Sequence, residues 1–144
     1  MIDKNKTVYG LLALLTLALS MIIYFLFRDL SNIILFSWIQ KPEIFENILF
    51  PLKTSIFNDY LRFNIPDALW LVSAILLLRF IWFDKIKIQT VYVNCFYIIG
   101  FAFEISQILD KVPGTFDWLD LLFMGIGVFV ENLLYKKFIL RRCL

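Results

Sequence analysis

No histidine occurs among the 144 residues of this chain. Without imidazole there is no general base for a serine or cysteine triad and no ordinary zinc site. Cysteine is almost as scarce. Cys95 falls inside an apolar run and Cys143 in the terminal tail, so the pair forms no disulfide framework and reads as two unpaired thiols, on a reducing side or in lipid. Charge is thin as well: only 18% of residues are Asp, Glu, Lys or Arg, and the net charge of +2 is too small and too scattered to recruit nucleic acid. No internal repeat or low-complexity tract is visible.

Apolar residues fill the space these absences leave. They make up 61% of the chain, with 18% aromatic residues, against about 45–50% apolar residues in ordinary soluble domains. The mean hydropathy is +0.81. A chain this short has room for one domain, here 1–144, and a soluble core could not hide so much apolar surface. The composition therefore predicts an integral membrane protein.

Four apolar segments approach the roughly 20 residues needed to cross about 30 Å of hydrocarbon. They run over about 8–27, 67–83, 89–109 and 118–135. Lys4 and Lys6 ahead of the first give it the look of a signal peptide. Its apolar core is too long for one, however, and it lacks a small-residue cleavage site, so a retained helix is expected. Basic residues set the predicted orientation. Lys4 and Lys6, Lys85 and Lys87, and Lys136, Lys137, Arg141 and Arg142 all fall on one side if there are four spans, whereas Asp29, Glu43, Glu46, Asp59, Asp110 and Asp117 collect on the other. Both termini are expected in the cytoplasm.

The stretch between the first two spans is no polar loop. It carries Ile33, Ile34, Phe36, Trp38 and Ile39, then Pro42 followed by Ile44, Phe45, Ile48, Leu49 and Leu52 near helical spacing. Amphipathic helices on the outer leaflet are expected there, with a re-entrant hairpin as the alternative. The predicted fold is all-α: an integral membrane bundle of four transmembrane helices, with an extracytoplasmic interfacial helical segment between the first and second spans.

The few polar residues within or beside these spans are the candidates for function. Glu104 and Gln107 lie three apart and share a helix face with Gly100. Counted back from Leu109, Glu104 lies about 7–8 Å deep. Asp117, Asp120, Met124, Gly127 and Glu131 step by three and four along the fourth segment, marking one inward stripe. Asp67, just after Pro66, opens the second segment at the same outer level. Asp67, Glu104, Gln107, Asp117 and Asp120 thus form a candidate ligand-binding pocket near the outer face, with Arg28, Arg62 and Lys111 as the available cationic partners. Carboxylates gathered at one level must be protonated, hydrated or bridged by cations, and a carboxylate in hydrocarbon is costly. The competing reading is structural: Asp67 and Asp117 stand where helix caps are wanted. Glu131 is expected to anchor the fourth span by pairing with Arg79 or Lys85. Trp82, Trp118 and Tyr135 are expected at the membrane interface.

The run Glu104-x-x-Gln107, a short loop, Thr115-Phe116-Asp117-Trp118-x-Asp120 and then Gly127 resembles the VanZ-like family of small bacterial membrane proteins, named for a member linked to low-level teicoplanin resistance. Asp67 after Pro66 matches the acid that often opens that family's preceding helix. The resemblance spans roughly residues 64–130. Gly114 replaces the family's frequent Arg, Met124 its Asn, and Trp70 or Leu71 stands where a His often follows the early Asp. The resemblance implies a protein of the bacterial cytoplasmic membrane, surrounded by membrane lipids, whose pocket holds an envelope or lipid-linked ligand and affects antibiotic or envelope-stress tolerance. Two alternatives stay open: a small proton-coupled transporter or ion-pathway subunit, and a non-catalytic structural subunit. With no nucleophile motif, enzyme chemistry ranks below these; no cofactor or metal is expected, and an oligomer is left open.

Overall fold

The computed structural model describes residues 4–27, 64–109 and 116–140, with the side chains of 26, 27 and 138–140 excepted. The expected interfacial segment, Arg28, Arg62, Lys111, Gly114, Thr115 and Cys143 lie outside the described residues. Within them the chain is all-helical: α1 (Lys4–Phe27), α2 (Ile65–Ile81), α3 (Ile86–Ser106), a 3-10 turn (Gln107–Leu109) and α4 (Trp118–Leu140). Three segments are long and apolar enough to cross a membrane: Lys4–Phe25, Ile86–Leu109 and Trp118–Lys137. The 17 residues of α2 make a rod about 25 Å long.

Side-chain contacts give the directions of the helices. Ser20 meets Pro66 and Ser73 meets Ala13, so α1 and α2 run antiparallel. Gln89 reaches Arg79 while Gly100 packs on Leu71, so α3 turns back along α2. Asn64 meets Asp120 and Arg79 meets Glu131, which makes α2 and α4 parallel. One end of the bundle therefore collects Lys4, Lys6, Asp84, Lys85, Lys87, Lys136 and Lys137, the basic end. Asp67, Glu104, Asp117 and Asp120 mark the other, the acidic end.

Small residues bring α1 and α2 together. A Cβ on Gly10 would stand 3.1 Å from the Phe80 ring, and Ala13 is buried. The Ser20 and Ser73 hydroxyls each donate across the gap to a carbonyl oxygen, of Pro66 and Ala13 respectively, both at 2.9 Å. Each such bond contributes about 1 kcal/mol or less where no water competes. Ala68, Leu71, Ile75, Val93 and Met124 form the central core, and Tyr9, Ala13, Leu76 and Phe83 a second cluster under α1.

The turn between α2 and α3 is tight. The Trp82 N–H donates to the Leu78 carbonyl at 3.0 Å and the Lys85 N–H to the Trp82 carbonyl at 2.9 Å. Trp82 stacks on Tyr92 with ring centroids 5.6 Å apart, and Lys85 lies over the Trp82 ring. Lys6 pairs with Asp84 at 3.5 Å, tying the start of α1 to this turn at the exposed rim.

Candidate functional site

At the acidic end, three helix termini converge. α2 begins at Ile65 with Pro66 in its first turn, where a missing N–H costs nothing. Its N-cap is Asn64, not Asp67, and Asn64 makes no capping bond with its side chain. Asp67, expected at the cap, is the third residue of the helix. The Asn64 amide is directed elsewhere: its Nδ2 donates to Asp120 Oδ1 at 2.8 Å and approaches Asp117 Oδ2 at 3.4 Å. The capping assignment holds for Asp117, whose Oδ1 accepts from the Leu119 N–H at 3.0 Å. Asp120 lies in the first turn of α4, where the helix dipole favours a negative charge.

α3 supplies the remaining carboxyl. Its last turn tightens into the 3-10 turn, with the Gln107 N–H shared between the Glu104 and Ile105 carbonyls. That places the Gln107 amide over Glu104, and Nε2 donates to Glu104 Oε2 at 3.1 Å. One turn below, a Cβ on Gly100 would stand 3.0 Å from Leu71 and 3.3 Å from Met124, so α3 closes directly onto α2 and α4. Glu104 is consequently 7% exposed, and its Oε1 has no hydrogen-bond partner among the described residues. The other carboxyls at this end of the bundle are Asp67, Asp117 and Asp120. All five candidates from the sequence thus gather at one end of the bundle. Asn64 is an addition to them, although an Asn just ahead of an Ile-Pro helix start is a recognisable polar signal. Among the described residues, no group of three or more His, Cys, Asp or Glu is arranged to hold a metal ion.

A second polar cluster occupies the basic half. Arg79 Nε and Nη2 grip both oxygens of Glu131, the second contact at 3.0 Å. The two residues are 3% and 1% exposed. The Tyr97 hydroxyl donates to Glu131 Oε2 at 2.8 Å, and the Arg79 guanidinium lies 3.5 Å above the Tyr135 ring. Gln89 Nε2 donates to the Arg79 carbonyl at 3.0 Å. Of the two partners named for Glu131, Arg79 is the one it takes. Tyr135, near the end of the segment Trp118–Lys137, covers the ion pair. Trp118 is largely exposed, edge-on to Phe116.

Between the two clusters lies an apolar layer of Ala68, Leu71, Ile75 and Met124. Eleven residues separate Asp120 from Glu131 along α4, about 16 Å.

Asn64→Ala is expected to lower thermal stability in detergent by about 1–2 kcal/mol, because it strips Asp120 of a donor inside the bundle. Unfolding curves indistinguishable from the parent protein's would show that the amide contributes nothing.

No protein-family model, no curated protein and no solved structure matches the chain.

Proposed function

We propose that this chain is a multi-pass protein of the bacterial cytoplasmic membrane whose acidic end is a ligand site for a cationic or hydroxyl-rich group of an envelope or lipid-linked molecule. The observation that carries this reading is Glu104 Oε1, a buried carboxyl oxygen without a hydrogen-bond partner among the described residues, at the end of the bundle that also holds Asp67, Asp117 and Asp120. A buried acceptor is costly when unmatched, and a donor brought by a ligand would complete it.

In this reading α2 is the fourth span, made tolerable at 17 residues by its central place in the bundle. The basic end faces the cytoplasm, following the distribution of Lys and Arg, and the acidic end opens outward. The VanZ-like resemblance bears on the same residues, since Glu104, Gln107, Asp117, Asp120 and Asp67 form one end of the bundle. Tolerance to glycopeptides or to envelope stress is the expected phenotype. A proton or ion path through a single chain finds less support, because the apolar layer separates the two polar clusters.

The test is antibiotic susceptibility of a host carrying the wild type, Glu104→Gln or Asp120→Asn at matched membrane levels. Raised glycopeptide tolerance with the wild type, lost in both variants, is the expected result. If all three behave as an empty vector, the tolerance reading fails. If the variants protect as well as the wild type, the carboxyls are structural.

A further inference from the structure

Several polar side chains within the spans find hydrogen-bond partners inside the chain. Thr16 and Thr90 donate to carbonyls one turn back, Ser20 and Ser73 cross to the neighbouring helix, and Asn132 Nδ2 bonds the Val128 carbonyl at 3.0 Å. Asn94 differs. It is exposed on α3, and its amide makes no hydrogen bond among the described residues. It stands eight residues beyond Ile86, about 12 Å along the helix axis and inside the span Ile86–Leu109, toward its basic end. An amide turned toward hydrocarbon with no partner is strongly disfavoured.

The face that carries it has the pattern of a helix-packing seam. Val91, Asn94, Ile98 and Ile105 step by three, four and seven, the spacing of a left-handed coiled coil. All four are exposed, Ile98 at 68%. The residues that α3 turns into its own bundle, Gln89, Val93, Gly100 and Glu104, lie about a quarter-turn or more away.

We propose that this face of α3 docks a second copy of the chain, with the two Asn94 amides bonded to each other across a two-fold axis along the membrane normal. The choice of occupant follows from the chemistry. A primary amide is both donor and acceptor, so two Asn side chains complete one another without any other group. Two copies inserted in the same direction bring each residue of α3 opposite its own counterpart, as a two-fold interface requires. A single polar residue on an otherwise apolar seam also fixes the register. The interface does not use the acidic site, whose Glu104 lies about a quarter-turn away around α3.

The test uses the full chain in lipid bilayers, with Cys95→Ser and Cys143→Ser as background. Oxidative cross-linking of Val91→Cys, Ile98→Cys and Ile105→Cys should give dimers, whereas Tyr92→Cys, Ile99→Cys and Phe103→Cys on the opposite side should not. In single-molecule photobleaching at graded protein-to-lipid ratios, Asn94→Leu should weaken association about tenfold, while Asn94→Gln, which keeps the amide, restores it. Equal cross-linking on both faces, a monomer at every density, or undiminished association of Asn94→Leu would overturn the proposal. So would a different protein cross-linked to this face in native membranes in place of a second copy.

Discussion

Replacing Glu131 by Leu is expected to destabilise the protein by about 3–5 kcal/mol, the usual cost of stranding one member of a buried ion pair. Arg79 would keep its charge, since a guanidinium does not release its proton, and would be left among Tyr97, Tyr135 and apolar side chains with no anion. The double variant Arg79→Leu/Glu131→Leu removes both charges and is expected to recover most of that loss, because the desolvation cost disappears along with the attraction. Denaturation in mild detergent, read as a double-mutant cycle, separates the two effects. A single variant no less stable than the double would show that the pair is hydrated and contributes little. Tyr97→Phe, which removes one donor to Glu131 and leaves the pair intact, should cost only about 1 kcal/mol.

Gly127→Leu should be nearly as damaging, at up to about 3 kcal/mol from overpacking. The first atom added is already too close: a Cβ there would lie 2.8 Å from Val72 Cγ2. The backbones of α2 and α4 approach at that point, and the Ala68 carbonyl stands 3.7 Å from the same position. Around Gly125, two residues earlier, an added Cβ would meet nothing within 4 Å. Gly125→Ala is therefore expected to be neutral, or stabilising by up to about 1 kcal/mol through helix propensity. Measuring both variants in one unfolding assay makes Gly125→Ala the internal control. Equal tolerance at the two positions would mean that α2 and α4 are not in close contact there.

Much of this arrangement is legible in the residue order, for reasons that also set its limits. The three-four stepping of Asp120, Met124, Gly127 and Glu131 identifies the inward stripe of α4 because helical periodicity is a local property. Asp117 is recognisable as a cap because a cap is made within three residues of itself. Counting residues also sets Glu104 level with Asp120. What the order does not carry is the rotation of one helix against another. Tyr97 sits in the apolar run Phe96-Tyr97-Ile98-Ile99 and gives no sign there of reaching Glu131 across to α4. Tyr135 has the composition of an interface anchor, which gives no sign that its ring also covers a guanidinium. The cap expected at Asp67 falls three residues earlier, at Asn64, because proline marks the first turn without specifying which residue precedes it. Asn94 is silent in the sequence for a related reason: an Asn in a span reads alike whether it faces the bundle or the lipid.

If α2 crosses the membrane as the fourth span proposed above, its parallel pairing with α4 makes the Arg79–Glu131 contact a check on membrane insertion. As helices enter the bilayer in sequence, α4 shares the direction of α2 only if α3 has crossed between them. Were α3 to stay at the surface, α4 would enter reversed, and Glu131 would come to rest near the opposite face from Arg79. Each charge would then lie in or near hydrocarbon without its counter-ion, a penalty that falls only on the misthreaded chain. The pair thus discriminates between topologies as the chain threads, quite apart from how tightly it holds the finished bundle.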